Sequence, residues 1–206
     1  MPTATFYRLP EEKRTRLLEA AWDEFTRVPF AEASINRIIA DARIPRGSFY
    51  QYFEDKSDQF NHLIDQIRDK LLLLLDAVLQ KTGGDIFAMP VQLLDELIGV
   101  DGKITERFSR EFSLLGLNAH MDVQQLFFER AADELCPAKI LECIDPNCLR
   151  QQDEMFVGGT FSVIVGALAM AVAHIWNNPQ AYALERQMLA VRLDIIRGGA
   201  GRGDKR

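Results

Sequence analysis

The stretch that decides the fold is residues 33–56, ASINRIIADARIPRGSFYQYFEDK. Ser34 is a favourable N-cap residue, and the apolar positions of the segment 35–42 recur at helical spacing. Pro45 suits the first turn of a second helix, because the N–H that proline lacks would have no partner there. These features predict two short helices joined by a tight turn, the arrangement of a DNA-binding helix-turn-helix.

The second helix is predicted to have a buried face and an exposed face. Phe49 and Phe53 are four residues apart, so they face the core together. On the other face Arg46 can donate two hydrogen bonds to a guanine edge, Gly47 lets the backbone approach the groove, and hydroxyls suit phosphate oxygens. The residues expected to contact DNA are Ser34, Asn36, Arg37, Arg46, Gly47, Ser48, Tyr50, Tyr52 and Lys56. The alternative is an ordinary helical hairpin whose surface carries tyrosines.

A family resemblance favours the DNA-binding interpretation. The pattern is carried by Ser34, Ile38, Ile39, Ala40, Ala42, Ile44, Gly47, Phe49, Tyr50, Tyr52, Phe53 and Lys56. It resembles the N-terminal signature of the TetR/AcrR family of bacterial transcriptional regulators, over roughly Glu11 to Leu63. The resemblance implies an all-α protein, in which a three-helix DNA-binding domain precedes a larger helical domain for ligand binding and dimerisation. It also implies a regulator, usually a repressor, that binds an inverted-repeat operator as a dimer.

Two residues of the turn depart from the family pattern. The family commonly has glycine where this chain has Arg43, and a small N-capping hydroxyl residue where it has Pro45. If the turn requires a positive φ at Arg43, the side chain there costs about 1 kcal/mol, which a packed domain tolerates. The expected fold is therefore retained with an atypical turn.

The composition limits the possible functions. The chain has 206 residues, 48% of them hydrophobic, which is enough for a substantial core. Its formal charge of −6 lies entirely in residues 57–206, because residues 1–56 contain equal numbers of basic and acidic side chains. A neutral head can bind DNA through cations on one face, but this balance argues against a protein that coats DNA without regard to sequence.

No catalytic or metal-binding pattern is found. Cys136, Cys143 and Cys148 lack the spacing of a zinc site and are odd in number, so free thiols in a reducing compartment are expected. The histidines at 62, 120 and 174 belong to no recognised catalytic motif. We therefore expect neither an enzyme nor a cofactor. The N-terminus lacks an apolar leader, which favours a cytoplasmic location.

Helical periodicity continues through the rest of the chain. A first helix is predicted from Pro10 to about Arg27, and a long helix follows the N-cap Asp55 and ends at Gly83-Gly84. Further helices are predicted at about 87–98, 104–117, 123–135, 152–176 and 180–197, with a frayed tail after them. The expected domains are residues 1–54 for DNA binding and residues 55–206 for effector binding and dimerisation.

Residues 155–184 contain no Asp, Glu, Lys or Arg. A membrane span has this property, but the segment also contains three glycines and polar residues, and neither flank carries a basic cluster. Burial against a second subunit explains it better, and the resemblance implies that the last two helices form a four-helix dimer interface. The residues expected in that interface are Phe161, Val165, Leu168, Val172, Leu184, Met188, Val191 and Ile195.

Large apolar side chains in the second domain could line an effector pocket. The candidates are Phe87, Phe108, Phe112, Leu115, Phe127, Phe128 and Phe156, although such residues at helical spacing are also typical of a core. The resemblance implies a small, largely apolar effector that weakens DNA binding through a conformational change. A different class remains possible: a dimeric helical protein that binds a small molecule but lacks sequence-specific DNA binding.

Overall fold

The computed structural model describes residues 1–118 and 138–202 of the chain. Within these ranges the regular elements are helices, joined by loops that contain two isolated β-bridges, so the expected all-α class is confirmed. The described residues fall into two compact units: an N-terminal unit of residues 1–69 and 109–118, and a C-terminal unit of residues 70–108 and 138–202. The predicted helix at 123–135, with Phe127 and Phe128, lies outside the described residues.

The helices follow the periodicity of the sequence closely. In chain order they are α1 (Ala4–Tyr7), α2 (Glu11–Arg27), α3 (Ile35–Asp41), α4 (Arg46–Tyr52), α5 (Lys56–Lys81), α6 (Met89–Leu97), α7 (Ser109–Leu117), α8 (Ala138–Leu141), α9 (Glu154–Asn177) and α10 (Tyr182–Ala200). Short 3₁₀ turns lie at 30–32, 106–108, 146–148 and 179–181. The helix α1 was not predicted, because four residues are too few to show a period.

The core of the N-terminal unit is aromatic. Phe25 from α2 and Phe60 from α5 are buried with ring centroids 5.2 Å apart, and Phe30 lies 5.0 Å from Phe60. Outside this core Arg110 of α7 pairs with α2, with its guanidinium 2.8 Å from the Glu19 carboxylate and 5.1 Å from the Trp22 ring. The apolar stripe of α2 thus covers the shorter helices, as its spacing predicts.

The long helix α5 begins and ends where the sequence places its boundaries. Asp55 caps its first turn by accepting a hydrogen bond of 2.7 Å from the Asp58 N–H. After its last turn Gly83 and Gly84 take positive φ angles of 64° and 81°. A Cβ at Gly84 would lie 2.5 Å from the backbone nitrogen of Asp145, so this position also requires glycine for close packing.

In the C-terminal unit α9 and α10 pack against each other and against α6. The guanidinium of Arg186 on α10 donates to both carboxylate oxygens of Asp95 on α6, at 2.8 and 2.7 Å. The expectation of a frayed tail is wrong up to residue 202, because α10 continues to Ala200 and the Arg202 N–H donates to the Cys148 carbonyl at 3.0 Å. By length and composition α9 could also cross a membrane, as its sequence suggested.

Candidate DNA interface

The turn between α3 and α4 is closed by backbone hydrogen bonds. The Arg43 N–H donates to the Ala40 carbonyl at 3.1 Å, and the Ile44 N–H donates to the Ile39 carbonyl at 3.0 Å. These two bonds form a Schellman motif, which requires a left-handed residue after the helix. Arg43 is that residue, with φ at 54°. Its exposed side chain therefore projects from a strained position that glycine would occupy without cost.

The helix α4 begins one residue later than the sequence suggested. Pro45 is its N-cap, with φ −62° and ψ 143°, and Arg46 is the first helical residue. The Pro45 carbonyl accepts the Ser48 N–H at 2.9 Å, and no side chain caps the helix. Phe49 and Phe53 are fully buried, as predicted, and they fix which face of α4 is exposed.

The exposed face of α4 combines a cation, a glycine and a phenol. Arg46 and Gly47 are exposed, Tyr50 is 52% exposed, and Ser48 and Tyr52 are half-buried. A Cβ at Gly47 would meet no atom within 4 Å, so packing does not explain glycine at this position. Glycine inside a helix costs about 1 kcal/mol relative to alanine, so helix stability does not explain glycine here either.

The start of α3 contributes the remaining predicted contacts. Ser34 occupies the N-cap position, but its hydroxyl makes no capping bond, contrary to the expectation. Asn36 is exposed, and the half-exposed guanidinium of Arg37 lies 4.0 Å from the Glu24 carboxylate. The Ser34 hydroxyl is thus available to a ligand, and Arg37 is oriented by a neighbour.

Glu24 is a buried carboxylate that sequence reasoning missed. It accepts hydrogen bonds from the Ser34 N–H at 2.8 Å and from the Arg27 guanidinium at 2.5 Å. Burial opposes its ionisation, but the bonds from Arg27 and Ser34 and the charges of Arg27 and Arg37 outweigh this and lower the pKa of Glu24. The carboxylate therefore holds the first turn of α3 against α2, in the place of a serine cap.

The structure contradicts the role predicted for Lys56. Its ammonium donates to the carbonyls of Phe30 at 2.7 Å, Ala33 at 3.0 Å and Ala31 at 3.3 Å, and it lies 4.6 Å from the centroid of the Phe30 ring. An ammonium has three N–H donors, and the three carbonyls accept all of them, so the charge of Lys56 is satisfied inside the domain. Lys56 stabilises the loop before α3 and does not supply a free cation to phosphate.

Two other polar contacts hold the same helices and were also missed. The Arg16 guanidinium donates to the Ala42 carbonyl at 2.7 Å, at the end of α3. Thr3 bonds to the last carbonyls of α4. Only Thr3 could have been noticed from the sequence, because threonine is a favourable N-cap residue. The helix α1 does begin directly after Thr3, whose side chain accepts the Phe6 N–H.

The predicted effector residues are distributed over both units. Phe87 and Phe108, in the C-terminal unit, are buried, and the Arg197 guanidinium lies 5.0 Å from the Phe87 ring. Phe112 and Leu115, in the N-terminal unit, are half-buried. Phe156 is half-buried and lines an open groove of about 530 Å³ between the start of α9 and the end of α10.

The predicted interface residues divide by helix. On α10 Leu184, Met188, Val191 and Ile195 are 61%, 40%, 48% and 72% exposed. On α9 Phe161 and Leu168 are buried inside the C-terminal unit, and Val165 and Val172 are half-buried. These α9 residues pack largely against their own unit, so a different face of the helix is presented outward.

The fold and the site define the class of protein. A three-helix arrangement, in which a short helix with an exposed Arg-Gly-Tyr face follows a tight turn, is a helix-turn-helix DNA-binding domain. Residues 17–63 match the family described as bacterial regulatory proteins of the TetR family. This part of the chain is therefore similar to the DNA-binding domain of TetR-family transcriptional regulators.

Individual relatives agree with this assignment. Over 72 residues the chain is 35% identical to the uncharacterized HTH-type transcriptional regulator YdgC of Bacillus subtilis (strain 168), a match that spans 35% of this chain and 37% of that protein. A TetR family regulator from Chloroflexus aurantiacus J-10-FL superposes with a TM-score of 0.51 at 25% identity, covering 98% of this chain and 100% of that one. A TetR-like regulator from Rhodococcus sp. RHA1 shares the fold, with a TM-score of 0.56 at 19% identity, covering 90% and 96%.

Replacing Lys56 tests its structural role. In Lys56→Met the three carbonyls lose their donor, so we expect the free energy of unfolding to fall by about 1–3 kcal/mol in urea denaturation. Lys13→Met is the control, because Lys13 is exposed and its side chain makes no hydrogen bond or ion pair in the described part of the chain. Equal stability of the two variants would contradict the assignment.

The carboxylate of Glu24 predicts a pH-dependent stability. Because its folded pKa is lowered, its contribution is present above the unfolded pKa of about 4.3 and is lost as the pH falls through the folded value. Glu24→Gln should therefore be less stable than the wild type at pH 7, and the difference should shrink at pH 3. Urea unfolding at both pH values measures this, with the exposed Glu54→Gln as control. A difference that is the same at both pH values would refute it.

Proposed function

We propose that the protein is a cytoplasmic, homodimeric repressor, which binds an inverted-repeat operator and is released by a small, largely apolar effector. The observation that carries the DNA-binding part is the exposed face of α4, where Arg46, Gly47 and Tyr50 lie together and the side chains of Arg46 and Tyr50 make no hydrogen bond within the described part of the chain. The comparisons support a TetR-family regulator, while the operator, the dimer and the effector are our inference.

Each DNA-facing group has a role that follows from its chemistry. Arg46 would read a base edge, because a guanidinium can donate two parallel hydrogen bonds to guanine. Gly47 would let the α4 backbone approach a phosphate, and the hydroxyls of Ser34, Ser48, Tyr50 and Tyr52 would donate to phosphate oxygens. Asn36 and Arg37 would extend this contact along α3. Lys56, which is occupied internally, is withdrawn from the set.

Arg43 adds a phosphate contact to the proposal. Its side chain is exposed next to α4, and its backbone holds a strained conformation. No hydrogen bond or ion pair within the described part of the chain engages its guanidinium. A phosphate would give this cation a partner, and phosphate contacts fix the register of a reading helix on the duplex.

The dimer proposal rests on two exposed stripes in the C-terminal unit. One stripe of α9, at alternating steps of three and four residues, consists of the half-buried Gly159 and the exposed Ser162, Gly166, Ala169, Ala173 and Trp176, and the exposed Val163 and Met170 lie on the same helix. The exposed apolar residues of α10 have the same spacing, from Leu184 to Ile195. Apolar stripes with a mean spacing of 3.5 residues are typical of helices that pack along their length. We therefore assign the small residues of α9, in place of Phe161 and Leu168, to the contact with a second copy.

A two-fold dimer determines the form of the operator. One seven-residue helix reaches only a few base pairs, whereas two helices related by a two-fold axis read an inverted repeat. The half-sites would be separated by about 34 Å or a multiple of it, the length of one turn of DNA. This is the geometric reason to expect a palindromic site.

The effector proposal rests on the family resemblance and on the apolar residues of the second domain. A small apolar molecule would bind one conformation of the C-terminal unit better and so favour it. The helix α5 runs without a break from residue 56 to residue 81, so its covalent backbone belongs to both units and can carry a displacement between them. Effector and DNA must weaken each other equally, by about 1–3 kcal/mol in typical cases.

Selection of duplexes from a random pool tests the DNA-binding function. The wild-type chain should recover an inverted repeat, and Arg46→Ala should relax preference at one base pair of each half-site by roughly 1–3 kcal/mol. Gly47→Ala should raise the stability of the free protein by up to about 1 kcal/mol and still weaken binding to the selected duplex. A scrambled duplex that binds as tightly as the selected one would favour the alternative, a dimer without sequence-specific binding.

Sedimentation of a charge variant tests the dimer. Leu184→Asp places a carboxylate in the proposed interface and should weaken dimerisation by about 100-fold or more. Leu73→Asp is matched to it, because Leu73 is 62% exposed and Leu184 is 61% exposed, and Leu73 lies on α5 outside the stripes. A monomeric wild type at micromolar concentration, or equal dimerisation of the two variants, would refute the proposed interface.

A further inference from the structure

The first residues of the chain contact the C-terminal end of α4. The Thr3 N–H donates to the Tyr52 carbonyl at 2.9 Å, and the Thr3 hydroxyl donates to the Gln51 carbonyl at 2.6 Å. The last carbonyls of a helix have no partners within it, so they need donors from elsewhere. Here one residue, 48 positions earlier in the chain, supplies donors to two of them.

The same hydroxyl links α4 to α1. Thr3 is the N-cap of α1, and its side-chain oxygen accepts the Phe6 N–H at 3.4 Å. Phe6 is only 1% exposed, and its ring centroid lies 5.0 Å from that of Phe53 and 5.4 Å from that of His62. Burial is the main cause that lowers the pKa of His62, so an uncharged imidazole packs against Phe6 at neutral pH. The packing of Phe6 fixes the position of α1, and the hydrogen bonds of Thr3 tie the end of α4 to it.

We propose that residues 1–7 position the recognition helix α4 through Thr3, and that they thereby contribute to discrimination between DNA sequences. This inference rests on the proposed DNA-binding function. Base readout requires side chains on α4 to be placed accurately against base edges, whereas attraction to phosphates tolerates small displacements. Because α4 has only seven residues, loosening its C-terminal end displaces the whole helix, including Arg46, the residue proposed to read a base. Discrimination therefore falls more than general affinity does.

Three variants of the full chain separate this role from general stability. Thr3→Val keeps the β-branched shape and removes the hydroxyl, while Thr3→Ser keeps the hydroxyl. Thr5→Val makes the same change in the same short helix at an exposed side chain, which has no hydrogen bond in the described part of the chain. Thermal unfolding of each variant establishes that it is folded at the temperature of the binding assay.

The measured quantity is the dissociation constant for a scrambled duplex divided by the dissociation constant for the duplex that the wild-type chain selects from a random pool. The two duplexes have the same composition. Thr3→Val should lower the ratio by about fivefold, the effect of one or two neutral hydrogen bonds, through weaker binding to the selected duplex. Thr3→Ser and Thr5→Val should keep the wild-type ratio. Hydrogen exchange of amides in residues 46–53 should accelerate in Thr3→Val alone.

The outcomes are distinguishable. If the wild type discriminates and Thr3→Val discriminates equally well, the positioning role is overturned while the DNA-binding function stands. If Thr3→Val weakens binding to both duplexes by the same factor, its effect is general and the inference is likewise overturned. If the wild type selects no duplex, the proposed function itself fails, and the positioning role fails with it.

Discussion

The constraint on which the DNA-binding unit depends is the shortness of α4. A helix of seven residues is not stable in water by itself, so its conformation and direction have to be imposed by contacts with other elements. Phe49 and Phe53 bury one face, the left-handed Arg43 sets the entry, and Thr3 holds the exit. These contacts come from separate parts of the chain, which makes the orientation of the exposed face a property of the whole unit.

The neighbouring helix α3 is held by charged groups that work inside the protein. The buried carboxylate of Glu24 holds its first turn, the Arg16 guanidinium holds its end, and the Lys56 ammonium holds the loop before it. Hydrogen bonds to charged groups are stronger than neutral ones. Each of these three side chains binds backbone groups that have no partner at a helix end or in a turn. The unit therefore divides its charges: some assemble the helices, and others, Arg43 and Arg46 among them, project from the surface.

Local information predicted most of the fold. The helices α2 and α5 follow from apolar spacing and from capping residues close in sequence, and the exposed face of α4 follows from Phe49 and Phe53. The role of Lys56 could not be obtained in this way, because its acceptors lie 23 to 26 residues away and become neighbours only after folding. The local sequence around a lysine beside a recognition helix does not show whether its ammonium faces a phosphate or backbone carbonyl oxygens.

The choice of the exposed face of α9 shows the same limit of local sequence information. A helix that is apolar all round has no polar face to indicate which side is buried, so the choice of Phe161 and Leu168 for the interface had no local basis. The folded unit buries Phe161 and Leu168. The exposed side of the helix carries small residues, such as Gly166, together with larger ones, such as Met170. The distance between two packed helices depends on the side chains at their contact. A second helix packed on Gly166 would therefore approach α9 more closely than a helix packed on a larger side chain.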